Sequence, residues 1–276
     1  MIRRAAITAA LAVLAAGCGS DTGPPAATPA RPVRIALLDP SPGLARGLRD
    51  AERYVGAAET GDEAAADLVV TADADRAVRA ATRADDAHVL LLGPPPREPV
   101  PANLLVVQIS RGQPAYLAGA LAALTGARTV AVAGGDDALA AAVRAGGEEA
   151  GAPLDVSVAG CGAAASAEVV YAERPECVAA GGPAKVIAPQ KVVDADQLAV
   201  VGPRPWVAVT AAARAVQSGR WAPGVMLEGL RQDVVGIGWI SPSVPRPAVD
   251  RLQRIEDLIR AGQATVPLVA PVQQAG

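Results

Sequence analysis

The chain has 276 residues, with 25 Lys and Arg, 28 Asp and Glu and a single His, giving a formal charge of −3. No basic tail or stripe is present, which argues against nucleic acid as a partner. Phe is absent and Tyr and Trp number three each, so Ala, Val and Leu must fill the core. At roughly 25 cal/mol per Å² a small side chain contributes little by burial, and close backbone approach has to compensate.

Met1-Ile2-Arg3-Arg4 opens with positive charge, and Ala5 to Ala16 follows without any. That run falls short of the ~20 apolar residues that span a bilayer and has the dimensions of a signal-peptide core. Leu14-Ala15-Ala16-Gly17-Cys18 resembles the lipobox of bacterial lipoproteins. Small residues admit a peptidase, and the Cys18 thiol accepts diacylglycerol before cleavage. Residues 1–17 are thus expected to be a lipoprotein signal peptide. Residues 18–32, rich in Gly, Pro, Ala and Ser/Thr, are expected to be a flexible tether. Losing Arg3 and Arg4 leaves 23 basic against 28 acidic residues, a charge of about −5. No later apolar run is long enough to cross a membrane, so the lipid would be the only membrane attachment, on the extracytoplasmic face.

The body alternates short apolar runs with Ala-rich helical segments. Val33 to Leu38 reads as a strand; Ser41 can cap, and Pro42 start, a helix to about Val55. Leu68 to Thr71 is a strand, Asp75 to Arg83 a helix, and Val89 to Leu92 and Leu104 to Ile109 are strands. Gln113 to Leu124 is helical, with Leu117, Leu121 and Leu124 at core spacing. Val130 to Ala133 is a strand ending in Gly134-Gly135, where a backbone can be approached closely, and a helix over Ala138 to Ala145 follows. Val156 to Val158, Val169 to Tyr171, Val186 to Ala188 and Leu198 to Val201 are further strands. Pro205 opens a helix over Trp206 to Gln217; Val234 to Ile240 is a late strand and Ala248 to Ile259 a final helix. Apolar runs without polar alternation suit strands buried on both faces of parallel αβ sheets.

With Cys18 lipidated, Cys161 and Cys177 are the remaining thiols, and an oxidising compartment favours a disulfide between them. The alternatives are two buried free thiols or half of a metal site. His88, the only histidine, lies far off in sequence, so no metal is expected. It also has no nucleophile motif beside it, so no catalytic residue is assigned and an enzyme is not expected. No cofactor is implied, and Gly134-Gly135 lacks the Lys and Ser/Thr of a phosphate loop.

Tyr116-Leu117-Ala118-Gly119 through Leu124, then Val130-Ala131-Val132-Ala133-Gly134-Gly135, resembles the central signature of the basic membrane lipoproteins, which include purine nucleoside receptors of ABC transporters. Val193-Asp194-Ala195-Asp196-Gln197 is similar to that family's Val-Asp-Ser-Asp-Gln segment, and Gly229-Leu230, Val234-Val235-Gly236 and Ala261-Gly262 follow its C-terminal order. The resemblance spans about residues 33 to 267. It implies a type 1 periplasmic-binding fold, an α/β architecture of two Rossmann-like lobes with parallel sheets, joined by three crossovers around a solute cleft. Lobe 1 would hold 33–127 with parts of 236–276, and lobe 2 would hold 128–235. The chain is shorter than typical members around 56–66 and 160–190. The Phe that typically follows the strand ending at Ile109 is missing, with Ser110 or Arg111 near its place; the Ser-Phe-Asn expected after Asp39 is also missing.

The resemblance implies a monomeric, lipid-anchored receptor that hands a small polar solute, nucleoside-like in the family, to an ABC permease. Asp39, Asp196 and Arg204 are the expected polar contacts, with Trp206, or else Trp239, as a ring. Asp194 and Asp196 would point opposite ways in a strand, and Asp196 is the one the family pattern supports. Tyr116 is expected to pack its helix in lobe 1. Loss of the family's Phe positions raises an alternative: a degenerate binding fold serving as a surface scaffold or regulatory partner without transport.

Overall fold

The structure, a computed structural model, describes residues 31–271 except 84–85, 163–165, 179–181, 183 and 267. The expected signal peptide, Cys18 and nearly all of the tether lie outside the described residues. Among the described residues no helix is long and apolar enough to cross a membrane.

Two six-stranded sheets organise residues 32–271. The first contains Arg34–Leu37 (β1), Ala58–Glu59 (β2), Leu68–Thr71 (β3), His88–Leu92 (β4) and Leu104–Ile109 (β5). The second begins with Thr129–Ala133 (β6), Asp155–Ala159 (β7), Val169–Ala172 (β8), Lys185–Ala188 (β9) and Gln197–Pro203 (β10). Gly224–Glu228 (β11) then returns to the first sheet, and Val235–Ile240 (β12) to the second. The orders are β11-β5-β4-β3-β1-β2 and β12-β10-β9-β8-β6-β7. Every pairing is parallel except β10–β12, so the late strand departs from the expected parallel arrangement.

In lobe 1, Pro42–Val55 (α1) and Pro205–Gln217 (α5) cover one face of the sheet, and Ala74–Arg83 (α2) covers the other. α1 starts as its residues dictate. Ser41 caps it, its Oγ accepting from the Leu44 N–H at 3.3 Å, and Pro42 supplies a preset φ in the first turn. Strand alternation then sorts side chains: Leu68 and Val70 meet α1 and α5, whereas Val69 packs toward α2.

In lobe 2, Gly112–Leu124 (α3), Asp137–Glu149 (α4) and Arg246–Arg260 (α6) share one face of the sheet. α3 is buried from Gly112 through Ala123 because α4, α6 and the sheet enclose it. The small residues set that spacing. A Cβ on Gly119 would come within 2.0 Å of the Val143 carbonyl oxygen, and one on Gly146 within 1.9 Å of the Tyr116 carbonyl oxygen. The opposite face carries Ala131, Ala133, Ala172 and Ala188 beneath loops and a short 3₁₀ turn at Pro175–Cys177, with no helix among the described residues. Cys161 and Cys177 are disulfide-bonded there, as expected from their count and compartment.

The division between lobes differs from the expected one. α3 belongs to lobe 2, not to residues 33–127 of lobe 1, so Tyr116 packs lobe 2. α5 and β11, expected within lobe 2 as part of 128–235, complete lobe 1. β12 and α6, assigned in part to lobe 1 within 236–276, lie in lobe 2. The chain therefore crosses after β5, after β10 and after β11. These crossovers are tied together: the Ser110 N–H donates to the Glu228 carbonyl at 2.8 Å and the Arg204 N–H to the Val234 carbonyl at 2.7 Å.

Candidate functional site

Parallel strands end where the following helices begin, so strand C-termini and helix N-termini gather at one edge of each sheet. In this chain those two edges face each other across a cavity of about 830 Å³. Lobe 1 contributes Ser41, Leu44, Leu92 and Pro205; lobe 2 contributes Gly134 to Asp136, Tyr171, Glu173 and Arg174. Ile109, Ser110 and Arg111 floor the cavity at the first crossover.

Arg111 is the central cation. Its Nη1 donates to Asp136 Oδ2 at 3.0 Å, its Nη2 to Glu173 Oε2 at 2.6 Å, and its Nε to Glu173 Oε1. A planar guanidinium is suited to this bidentate grip on Glu173. The hydrogen bond to Glu173 outweighs burial and holds the guanidinium firmly charged. Burial works to raise the Asp136 carboxyl, but hydrogen bonds from the Leu139 N–H and Arg111 prevail and leave it below its ordinary value. Asp136 also caps α4, accepting from Leu139 N–H at 3.0 Å. Tyr171 is 3 % exposed and its phenol is pushed well above its ordinary value, chiefly by burial.

The wall bearing Glu173 and Arg174 is held from behind. Gly134 has φ +68°, and a Cβ there would meet Cys177 Sγ at 2.6 Å. The Cys177 N–H donates to the Arg174 carbonyl at 3.0 Å, and the Gly134 N–H to the Ala159 carbonyl at 2.9 Å. The disulfide is thus wedged against the loops that end β6, β7 and β8. The close approach anticipated at Gly134-Gly135 is made by this cystine.

None of the four expected ligand residues lines the cleft. Asp39 follows β1 but is taken by lobe 1, accepting from Thr71 Oγ1 at 2.5 Å and from Arg76 Nη1 at 2.6 Å. Asp196 is exposed and precedes β10; its carbonyl accepts from Val186 N–H at the start of β9, the sheet edge opposite the cleft. Arg204 turns into the hinge, donating to Asp233 Oδ1 and to the Ile237 carbonyl, each at 2.8 Å. Trp206 lies on α5 under the Arg46 guanidinium, 4.0 Å from the ring centroid, and Trp239 stacks with Lys191 at 3.3 Å. The residues that do converge, Arg111, Asp136, Glu173 and Arg174, each stand just past a strand C-terminus. That position relative to β5, β6 and β8 is the sequence signal by which they are found.

Among the described residues no group of three or more His, Cys, Asp or Glu could hold a metal. Two αβ lobes, three crossovers and a cleft between strand C-termini define the type I periplasmic-binding fold. No protein-family model and no curated protein matches the chain. Solved structures do. An ABC transporter solute-binding protein from Conexibacter woesei DSM 14684 is similar with a TM-score of 0.64 and 15% identity, over 87% of this chain and 100% of that one. A transcriptional activator of the comK gene from Bacillus halodurans gives 0.67 at 13% identity, over 85% and 99%. An ABC transporter solute-binding protein from Aeropyrum pernix K1 gives 0.55 at 14% identity, over 88% and 95%.

Proposed function

We propose that this chain is an extracytoplasmic solute receptor, held at the membrane by lipid on Cys18 and delivering a small solute to an ABC permease. The observation that carries the reading is the interlobe cleft, floored by Arg111 at the crossover and walled by charged and apolar side chains from both lobes. A solute touching both walls favours the closed arrangement by its differential contacts, which is how a hinge-jointed binding fold signals occupancy. The two solute-binding proteins of similar fold support this role, as does the lipobox. A purine nucleoside, the solute implied by the sequence resemblance, would meet one aromatic ring among the lining residues, Tyr171. It therefore enters as one probe among several. The role is binding, not catalysis.

The test is calorimetry and thermal shift on the tether-less protein with nucleosides, sugars, amino acids and aliphatic acids, repeated on Arg111→Ala. A hit that this variant loses is expected. A folded protein that binds nothing across the panel would sink the receptor reading. The anchor is tested separately, by mass spectrometry of membrane-extracted protein, where diacylglycerol on Cys18 is expected and an unmodified, salt-washable N-terminus refutes it. A second reading, a regulatory partner without transport, is favoured by the comparable likeness to a transcriptional activator; binding without uptake in a permease-reconstituted system would select it.

A further inference from the structure

The hydrogen-bonding capacity of the cleft is unevenly spent. Both Glu173 oxygens are engaged by Arg111, and the Asp136 oxygens accept from Arg111 and from the Leu139 N–H. The acidic acceptors facing the cavity are therefore already engaged. The donors are not. A guanidinium has five N–H groups, and Arg111 uses three of them. The Arg174 side chain makes no hydrogen bond among the described residues, its one ionic neighbour being Glu176 at 3.9 Å. Tyr171 lines the cavity on a side chain more than nine-tenths buried, and its hydroxyl makes no hydrogen bond among the described residues. Ser110, 2 % exposed, accepts weakly from Val269 N–H at 3.4 Å, leaving its own proton uncommitted.

Charge and shape narrow the ligand further. Arg111 and Arg174 balance Asp136 and Glu173, so the lining side chains sum to no net charge. The N-termini of α1, α3 and α5 border the cavity through Ser41, Arg111, Pro114 and Pro205, and their partial positive ends favour an anion. Around these donors the walls are aliphatic: Leu44, Leu92, Ile109 and Val201, interleaved with prolines that present no N–H.

We infer that the cleft takes an aliphatic carboxylate, its oxygens accepting from Tyr171, Ser110 and the free arms of Arg111 and Arg174 while its hydrocarbon body lies against the aliphatic walls. This rests on the receptor reading and names the solute class within it. Cleft-lining donors without a protein partner discriminate between a ligand that satisfies them and one that does not.

The test is calorimetric titration of the tether-less protein with butanoate, hexanoate and octanoate, set against octanamide, octylamine and adenosine. Affinity should rise roughly fourfold per added methylene, and octanamide and octylamine should bind at least tenfold more weakly than octanoate. Tyr171→Phe and Arg174→Gln should each lower octanoate affinity roughly tenfold while leaving the thermal midpoint of the free protein unchanged, which separates a ligand contact from a packing role. Octanamide or octylamine binding as well as octanoate would overturn the inference, as would octanoate binding untouched by both variants. Adenosine binding that Arg111→Ala abolishes, without octanoate binding, would overturn the carboxylate class and keep the receptor. Silence from every probe here, with a hit in the wider screen, would do the same; silence in both removes the receptor itself.

Discussion

Arg111 ties the fold together at the cleft proposed above as the solute site. Its side chain is 14 % exposed and engages two carboxylates that would otherwise face each other beside the cavity. Removing a partner from such a network leaves desolvated charge behind, which costs more than the net value of the bond. Arg111→Ala should lower stability by about 2–3 kcal/mol, read from urea unfolding midpoints, and a change below the error of that measurement would contradict the placement. His88 sets a different dependence. It stacks on Trp221 at 4.8 Å between ring centroids, and neither its Nδ1 nor the indole N–H has a partner among the described residues. Burial, only partly opposed by Asp67, holds the imidazole below its ordinary value. The unfolded chain therefore binds the extra proton first as pH falls below the ordinary histidine range of about 6.5. Stability should be full above that value and decline toward pH 5. His88→Phe should flatten the decline, and equal pH slopes for the two proteins would refute the assignment.

At the scale of elements, the helix pair α3–α4 is where the shortage of large side chains is resolved. Backbones approach closely at Gly119 and Gly146, so alanine-sized contacts suffice to exclude water. Gly119→Ala must push α4 away or distort α3, and an overpacking loss of about 1–3 kcal/mol is expected. Gly61→Ala, where nothing lies within 4 Å of the added Cβ, is the matched control. Equal thermal midpoints for the two variants would show that the pair tolerates separation. The helix-free face of the second sheet depends on the loop that the disulfide closes. Cys161 and Cys177 are 16 residues apart, for which a stabilisation of about 3 kcal/mol is expected. Replacing both with Ser should lower the midpoint and raise hydrogen exchange at residues 134–136 and 173–177 first, with α1 and α5 unaffected. Uniform loosening of both lobes would be the contrary result.

For the whole molecule, the three crossovers are the covalent links between lobes among the described residues, and the hinge is stiffened by contacts that avoid the cleft. Asp233 accepts from Arg204 at 2.8 Å and from Arg260 at 2.9 Å, joining the second crossover to α6. Gln113 Oε1 accepts from Leu230 N–H at 2.6 Å, pinning the third. Domain closure on ligand should therefore be a rigid-body motion about residues 110–111, 203–204 and 229–234. Small-angle scattering with a saturating ligand is expected to show a smaller radius of gyration. An unchanged radius would mean that the cleft is already in its closed arrangement.

Local features were legible along the chain because they rest on near-neighbour physics. Ser41-Pro42 and Pro205 mark helix starts through capping and a preset φ, and the apolar runs that became β3, β5 and β6 announce strands buried on both faces. The disulfide followed from compartment and count. What the linear pattern did not carry was allegiance. α3 and α5 each change lobe after a connection of a few residues, and nothing in Ile109-Ser110-Arg111 or Pro203-Arg204-Pro205 says on which sheet the next helix will lie. Only the match of Gly119 to Val143, and of the α5 apolar face to α1, decides it. β11 was missed for a related reason: as an edge strand with Val225 and Met226 exposed, it lacks the buried run that marks its neighbours. The site was decided at the same level. Asp39 and Arg204 sit at the right strand ends but are consumed by Arg76 and Asp233, whereas Arg111, Asp136 and Glu173, far apart in sequence, become a site only when two sheets bring their C-terminal edges together.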